Sequence, residues 1–258
     1  MKKFILQLTH VDNFTTKVTH DFCFTMEQCA EYWKWRGEEM KCRYADIKTL
    51  DVIRHPDDNV PIGSIEFVSK YLLNYYPQAY KALYPLNVPE ELMYYAGSRW
   101  ITNVNDKSDM SIFDHDFTMG RCTEKELFRK SLTTIKDPSN GFFKYDGTNF
   151  EDFKGYQVSE KISIDSEWRV FVFKNEIQHI ANYSGDCMIF PDADRIKEMV
   201  NAYTNAPIAY TLDVGVSGDS TFIIECHRFF SCGLYGFSDL AVIPYMFSQE
   251  WFEMINMK

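Results

Sequence analysis

The sequence predicts an α/β (α+β) protein in which a small α/β unit precedes a region rich in antiparallel strands. In the first part of the chain, one strand pattern and two helical patterns alternate with turns and prolines. In the second part, pairs of extended apolar segments are separated by short turns, which is the pattern of β-hairpins. The composition changes near Arg99, after which a long polar stretch begins. We therefore predict an N-terminal α/β domain over residues 1–95 and a second domain over residues 96–258.

The first unit is predicted from three local patterns. Residues 4–8 are apolar and extended, which indicates a first strand. Thr25 is the predicted N-cap of a helix, because the sequence after it follows a capping-box pattern, and Gly37 ends that helix. Residues 60–64 are predicted to form a turn that ends in Ser64, the N-cap of a second helix. Apolar residues then recur at helical spacing, at Ile65, Val68 and Leu72.

The second part is predicted to contain a helix that begins at Thr123 and another that begins at Pro191. The remaining apolar segments are short and bounded by turn residues, so they indicate strands. We predict single strands and two hairpins, over residues 141–144, 156–162, 168–173 paired with 177–183, and 210–216 paired with 221–227.

Composition and charge exclude some classes of function. The chain is 45% hydrophobic and 16% aromatic, which is enough for a packed core, and its net charge is −10 without any basic run. This balance argues against a nucleic-acid-binding surface, which needs clustered positive charge. Seven cysteines at irregular spacing, with no signal-type segment, indicate free thiols in a reducing compartment. We expect a cytoplasmic protein without nucleic-acid or membrane partners, since its apolar runs are too short to span a bilayer.

The last predicted hairpin carries a candidate metal site. Alternate residues of a strand share a face, so Glu225 and His227 point the same way, and pairing in the hairpin can bring Asp213 beside Glu225. Two carboxylates on one face suit a divalent cation that carries phosphates, since Mg²⁺ prefers oxygen ligands and keeps open positions. The alternative is a solvated hairpin with acids on its wet face.

Basic residues at strand ends are candidate phosphate ligands. Lys144 ends a predicted strand, and Lys154 closes the loop that follows it. Both have an ordinary alternative as solvated lysines. Arg169 lies on an otherwise apolar strand face two residues after Glu167, and a charge buried there needs a partner. That partner can be Glu167 itself or a phosphate, whose geometry the guanidinium fits.

Taken in order, these segments resemble the ATP-grasp superfamily, and within it the R2K clade, which occurs largely in phage and bacterial genomes. The similar segments are 60–67, 143–144 followed by 153–155, 166–172, and 225–227 leading into 233–236. The resemblance implies a fold of two lobes with a nucleotide cleft between antiparallel sheets, preceded by a small α/β domain. It also implies ATP and Mg²⁺ (or Mn²⁺) as cofactors.

The resemblance implies roles for individual residues. Lys144 matches the lysine that holds the α- and β-phosphates, and Lys154 falls in the loop that closes over them. His227 stands where most of the superfamily has asparagine, and an imidazole binds Mg²⁺ poorly, which leaves it to bind phosphate or substrate. The other matches are an adenine-reading hinge, an acidic-x-arginine element and the metal carboxylates, namely Glu160, Lys161 and Ile162; Glu167 and Arg169; and Asp213 and Glu225. Arg169 and Lys154 are the implied catalytic residues.

The implied activity is an ATP-dependent carboxylate–amine or carboxylate–thiol ligase that acts through an acyl phosphate. Its partners would be a small-molecule or peptide carboxylate and a nucleophile. One alternative is a domain that binds nucleotide without turnover and serves in regulation or interaction. Another is a zinc hydrolase that uses Cys226, His227 and Cys232, although adjacent strand residues point to opposite faces. A metal cluster at residues 114–116 is a further alternative, in a segment predicted to be a surface loop.

Overall fold

The computed structural model describes residues 3–11, 14–16 and 20–257. Three four-stranded sheets, with helices packed against them, form the molecule. In chain order the elements are β1 (Lys3–Val11), β2 (Phe14–Thr16), α1 (Asp21–Trp35), β3 (Cys42–Asp46), β4 (Asn59–Ile62), α2 (Ile65–Tyr75), β5 (Ile101–Asn103), α3 (Ser111–Thr118), β6 (Lys125–Ser131), β7 (Gly141–Tyr145), β8 (Tyr156–Glu160), β9 (Ser166–Phe173), β10 (Glu176–Gly185), α4 (Ala193–Ala202), β11 (Ala209–Ser217), β12 (Ser220–Arg228) and α5 (Ile243–Asn256).

Sheet 1 forms the N-terminal unit. Strand β1 lies between its parallel neighbours β3 and β4, and β2 pairs with the end of β1 in the antiparallel direction. The predicted turn at 60–64 was wrong, because β4 buries Val60 and Ile62 beside β1. Pro61 is tolerated there since β4 is an edge strand, which needs no second set of hydrogen bonds. The predicted cap of α2 is confirmed, as Ser64 Oγ accepts the Phe67 amide at 3.3 Å.

Helix α1 begins earlier than predicted. His20 is its N-cap, with Nδ1 accepting the Phe22 amide at 3.3 Å, so Thr25 lies inside the helix rather than at its start. Because Thr25 lies inside the helix, the capping-box pattern that follows it does not mark the helix start. The predicted end is confirmed, because the chain leaves the helix at Gly37 with φ of +82°, a conformation that favours glycine.

Sheet 2 is antiparallel, with strand order β5-β8-β6-β7. The helix predicted from Thr123 was wrong, since residues 125–131 form β6 in the middle of this sheet. Burial alternates along β6, where Leu127, Arg129 and Ser131 are buried and the residues between them face the other side. Pairing with β7 and β8 on both sides outweighed the weak helical propensity of this segment.

Sheet 3 is also antiparallel, in the order β10-β9-β11-β12, and it confirms both predicted hairpins. The β9–β10 hairpin turns at Lys174 and Asn175, whose φ values of +53° and +63° fit the tight turn of a two-residue hairpin. One face of sheet 3 packs on α4 through a core that includes Val170, Leu212 and Met199. The predicted helix after Pro191 is confirmed as α4, with Asp192 as its N-cap.

The C-terminal helix α5 joins the core of the N-terminal unit. Its Trp251 is fully buried and packs edge-on against Tyr71 and Tyr76 of the first unit and at a tilt against Phe230 after β12. The predicted fold class is confirmed, with two antiparallel sheets facing each other across a cleft after a small α/β unit. The boundary between residues 95 and 96 stays a prediction. None of the helices in the described ranges is long and apolar enough to cross a bilayer.

Candidate functional site

Three potential metal ligands converge on the cleft face of sheet 3. Asp213 pairs directly with Glu225 in the β11–β12 register, and His227 follows two residues later on the same face. One ligand atom from each residue lies within 4.8 Å of the others, and no second group of this kind occurs within residues 3–11, 14–16 and 20–257. His227 Nε2 is 3.2 Å from Glu225 Oε1 and 3.7 Å from Asp213 Oδ2. The predicted clustering of these side chains is thus present in the structure.

A β-bulge in β12 shapes this face. Asp213 opposes Glu225 and Val214 opposes Ile223, so Ile224 has no partner in the ladder. The extra residue shifts the alternation of side chains by one position, so that Phe222 lies on the same side as Glu225. Without the bulge, simple alternation along β12 would place these two side chains on opposite sides. Ile224 turns toward the cleft and lines a cavity there. Bulges of this type commonly re-aim side chains next to functional sites.

Arg169 holds Asp213 in place. Arg169 donates from Nε to Asp213 Oδ1 at 2.8 Å and from Nη2 to Oδ2 at 2.6 Å, a fork that matches a carboxylate. Its Nη1 donates to the Gly233 carbonyl at 3.2 Å, and its guanidinium lies 4.9 Å from the ring of Tyr235 and 5.5 Å from that of Tyr183. The partner of Arg169 in this structure is therefore Asp213, and not Glu167.

The charge states follow from burial and from these partners. Burial would raise the pKa of Asp213, but the hydrogen bonds and positive charge of Arg169, with a smaller effect of the nearby His227, hold that pKa below its usual range. Burial lowers the pKa of His227, and the neighbouring Asp213 opposes that change without reversing it. Asp213 is therefore an anion at neutral pH, and His227 offers a neutral imidazole.

The opposite wall of the cleft, on sheet 2, contributes Lys130. Its ammonium forms an ion pair with Glu225 that joins the two sheets. Burial lowers the pKa of Lys130 to about 8. A cavity of about 40 Å³ beside this pair is lined by residues from both sheets, namely Arg99, Ile101, Phe128, Lys130, Gln157, Ser159, Ile224 and Glu225.

Arg99 is a second cation at the same cavity. Its Nη2 donates to the carbonyls of Ile223 at 2.9 Å and Ile224 at 3.3 Å, while its Nε is buried without a hydrogen-bond partner. Burial lowers the pKa of Arg99 to about 10, so it remains charged at neutral pH. Two cations and an orphaned N–H thus lie between the sheets, an arrangement that suits an anionic ligand.

The structure places the other predicted lysines away from this cluster. Lys144 is exposed at the edge strand β7 and donates to Glu124 at 2.6 Å, and Lys154 is exposed in the segment before β8. Lys161 is also exposed and donates to Glu126 at 2.9 Å.

The remaining predicted residues lie nearer the cleft. Glu160 accepts from the Trp100 amide at 3.2 Å and from Lys125 at 3.1 Å, whereas Ile162 lines a cavity of about 270 Å³ beside the β11–β12 turn. Glu167 shares the face of Arg169, and its Oε2 accepts from the Tyr183 hydroxyl at 2.7 Å.

The cysteine-based alternative does not fit the structure. Cys226 is buried in the core on the far side of sheet 3 from His227, and Cys232 is buried in the core of the N-terminal unit. Burial also raises the pKa of both thiols, which disfavours the thiolate that zinc needs. At residues 114–116 the segment is part of α3, where Asp116 pairs with Arg121 at 3.3 Å, and the side chains of Asp114 and His115 lie outside the described residues.

Comparison with known families identifies this cleft. Residues 127–244, from β6 to the start of α5, match the family model described as ATP-grasp domain, R2K clade family 2. Over these residues the chain is similar to ATP-grasp domains of the R2K clade. The resemblance inferred from the sequence motifs is thus confirmed, and the cleft between sheets 2 and 3 is the cleft of the ATP-grasp fold.

A solved ATP-grasp structure agrees with this fold. The structure of the ATP-grasp ligase PsnB complexed with minimal precursor aligns with a TM-score of 0.50 and 12% sequence identity, over 96% of this chain and 99% of that chain. A D-alanine–D-alanine ligase from Bacillus anthracis aligns with a TM-score of 0.48 and 11% identity, over 99% and 96%. The comparison with curated proteins finds no match. At this identity the PsnB structure supports the fold alone.

The ATP-grasp cleft has a donor set that fits a divalent cation. Asp213 and Glu225 supply hard carboxylate oxygens that converge on one point, and His227 adds a neutral nitrogen there. Lys130 and Arg99, which the sequence patterns did not single out, add positive charge at the cavity between the two sheets. Lys130 was missed because β6 was predicted as a helix; with a strand assignment, Phe128 and Lys130 fall on one face and Arg129 on the other.

Proposed function

We propose that the protein is an ATP-dependent ligase that activates a carboxylate as an acyl phosphate and transfers the acyl group to an amine. The observation that carries this proposal is the meeting of Asp213 and Glu225 from sheet 3 with Lys130 from sheet 2 inside an ATP-grasp cleft. Carboxylates that suit a metal and a partly buried ammonium face each other across the space that lies between the two sheets. A metal–nucleotide complex can bind between these opposite charges and replace their direct contact.

The cations of the cleft are proposed to hold the nucleotide. Lys130 and Arg99 are partly buried at the junction of the two sheets, and Arg99 Nε has no partner in the structure. Phosphate oxygens would satisfy that group and offer Lys130 a partner other than Glu225. Ile162, which lines the larger cavity beside the β11–β12 turn, is proposed to lie beside the base, as the hinge prediction implies. Glu160 and Lys161, the hinge residues before it, remain proposed to contact the base through their backbone.

Asp213 and Glu225 would hold Mg²⁺ or Mn²⁺, which would neutralise charge on the ATP phosphates. Arg169 is proposed to act by fixing Asp213, since its fork is fully used on that carboxylate. Glu167, held by the Tyr183 hydroxyl, lies on the same face and is proposed to contact the nucleotide or substrate. His227 lies 3.2 Å from Glu225 and 3.7 Å from Asp213 and is proposed to complete this end of the site.

The reaction balances with groups that need no protein nucleophile. A carboxylate oxygen of the substrate attacks the terminal phosphorus of ATP, and the bond to the ADP oxygen breaks. The amine then attacks the carbonyl carbon of the acyl phosphate, phosphate leaves with its bond electrons, and the nitrogen loses a proton. Lys144 and Lys154 remain proposed phosphate ligands only if the segments that carry them close over the nucleotide, because both are exposed in this structure.

Positional isotope exchange in ATP labelled at the β–γ bridging oxygen tests this proposal. With Mg²⁺ and pooled amino acids or short peptides as carboxylates, reversible phosphoryl transfer should scramble the label, and hydroxylamine should yield a hydroxamate. Asp213→Asn should abolish both signals, whereas Asp194→Asn, at an exposed position of α4, should leave them intact.

This experiment separates a ligase from a module that binds nucleotide without turnover. Tight binding of the Mg²⁺–ATP complex without label exchange or hydroxamate for any carboxylate would favour a nucleotide-binding module that does not turn over. Absence of nucleotide binding by the wild-type chain would contradict both.

A further inference from the structure

A second cavity lies outside the cleft, where the N-terminal unit meets the segment after β6. Its volume is about 180 Å³, whereas a single water needs only roughly 10–15 Å³. Residues from three separate parts of the chain line it, among them Glu66, Ser69, Tyr80, Leu83, Thr133 and Thr134. The space is large enough for a small organic molecule and is shared between both units.

The position of this cavity relates it to the ligase cleft. Its α2 wall begins directly after the carboxyl end of β4, where Gln7 of β1 accepts the Ser64 amide at 2.6 Å. Crevices at the carboxyl ends of parallel strands are where open α/β sheets bind ligands. On the other wall, Thr133 is three residues from Lys130, which places their Cα atoms at most roughly 11 Å apart.

The lining favours a small cation with hydrogen-bond donors. Glu66 is the charged group among the described residues that line the cavity, and hydroxyls from Ser69, Tyr80 and Thr134 accompany it. Ser69 Oγ donates to the Tyr80 hydroxyl at 3.5 Å, a long bond that leaves both oxygens able to accept from a ligand. Leu83 is buried and supplies an apolar surface.

The ion pair that Glu66 forms with Lys136 is weak. Its carboxylate lies 3.9 Å from Lys136 Nζ, and the two side chains are 60% and 70% exposed. Exposed pairs at this distance contribute little to stability. A ligand cation that enters the cavity can therefore replace Lys136 as the partner of Glu66 at small cost.

We propose that this cavity binds the amine substrate as a small primary ammonium compound, with Glu66 as counter-ion and the neighbouring hydroxyls as acceptors. The role of that compound as the nucleophile rests on the proposed ligase function. Binding itself does not, because it depends only on the cavity and its lining.

Binding is tested on the full chain with L-alaninamide and with L-lactamide, in which a hydroxyl replaces the ammonium. Saturation-transfer NMR titrations should show alaninamide binding about tenfold more tightly than lactamide, the effect expected for one charge-assisted contact. Glu66→Gln should remove that difference, whereas Lys136→Gln should strengthen alaninamide binding because Glu66 loses its competitor. Glu198→Gln, at an exposed site of α4, serves as the matched control and should change neither affinity.

Equal binding of the two amides, absence of binding of both at millimolar concentration, or an unchanged alaninamide affinity in Glu66→Gln would overturn the proposal. Melting curves of each variant confirm that it folds, and Thr134→Tyr, which fills the cavity from an exposed position, gives a second test that leaves Glu66 intact. Affinity for the Mg²⁺–ATP complex, measured on the same samples, should be unchanged. If the wild-type chain does not bind the Mg²⁺–ATP complex, the ligase function is contradicted. The titrations with alaninamide and lactamide still decide whether the cavity binds an ammonium compound.

Discussion

The two walls of the cleft differ in how far their charged side chains are buried and in the partners of those side chains. On sheet 3, Asp213 and Arg169 are 1% and 5% exposed and satisfy each other in a two-point contact. On sheet 2, Lys144 and Lys161 reach into solvent and pair with acids on the same sheet, and Lys130 alone among them turns into the cleft. Burying a charge without a partner costs free energy. The partner of a buried charge therefore indicates which group the site stabilises. Burial, more than residue type, therefore separates the candidate functional groups from ordinary surface charges.

The buried wall should show the largest effect of a single substitution. Asp213→Asn removes a carboxylate proposed to bind the metal and leaves the Arg169 charge buried without its partner. We expect the rate of ATP-dependent turnover to fall about 100-fold or more, and the free energy of unfolding to fall by about 3–5 kcal/mol. Steady-state ADP release and urea denaturation measure the two quantities.

Asp194→Asn is the matched control for this loss, because Asp194 pairs with Lys197 in full solvent on α4. It should change neither turnover nor stability measurably. If Asp213→Asn is as stable as the wild type, the bidentate contact with Arg169 does not hold the wall together in solution.

A different case lies beyond β12, where burial leaves a carboxyl group protonated, and pH tests it. Glu250 of α5 is fully buried; its Oε2 accepts the Phe229 amide at 3.0 Å, and its Oε1 is 3.5 Å from Arg228. Burial raises the pKa of Glu250 from 4.5 to about 8, against the opposing charge of Arg228. The folded protein therefore keeps a proton that the unfolded chain releases, and this contribution to stability is lost as pH rises from about 4.5 to about 8.

Glu250→Gln should remove that pH dependence, since an amide does not titrate. The slope of unfolding free energy against pH between 5 and 8 should change by up to about 1.4 kcal/mol per pH unit. Urea denaturation at several pH values measures it, with Glu198→Gln as the exposed control. An unchanged slope would mean that Glu250 is ionised in the folded protein.

A smaller effect is expected on the other wall, where two lysines can be compared directly. Lys130→Met removes the partly buried ammonium beside Glu225, and we expect ADP affinity to fall about tenfold, as for the loss of one charge-assisted hydrogen bond. Lys144→Met removes an exposed lysine whose partner is Glu124, so affinity should change less than about twofold. Isothermal titration calorimetry with Mg²⁺ and ADP decides between them. The reverse order would show that β7 moves onto the nucleotide and that Lys144 is the phosphate ligand.

The contrast between the walls also explains what the sequence could predict. Sheet 3 was predictable because β9, β11 and β12 are short apolar runs bounded by turns, and the pairing of Asp213 with Glu225 followed from the hairpin. Sheet 2 was less so, because β6 mixes charged and apolar residues and gains its strand form only from neighbours on both sides. The bulge at Ile224 and the docking of α5 on the first unit depend on tertiary contacts that no local pattern encodes.

The smallest effect is expected at the residue that departs from the superfamily. His227→Asn replaces an imidazole, 3.2 Å from Glu225 and 3.7 Å from Asp213, with an amide whose oxygen is a harder ligand. We expect Mn²⁺ affinity in the presence of a non-hydrolysable ATP analogue to stay equal or to rise by less than about tenfold, since the two carboxylates provide most of the binding. Calorimetry of Mn²⁺ binding with and without the analogue measures this, and ADP release on the same sample reports turnover. Metal binding that is preserved while turnover is lost would instead assign His227 a contact with substrate. Tight Mn²⁺ binding without nucleotide would show that Asp213, Glu225 and His227 form a complete site by themselves, contrary to a site that needs phosphate oxygens.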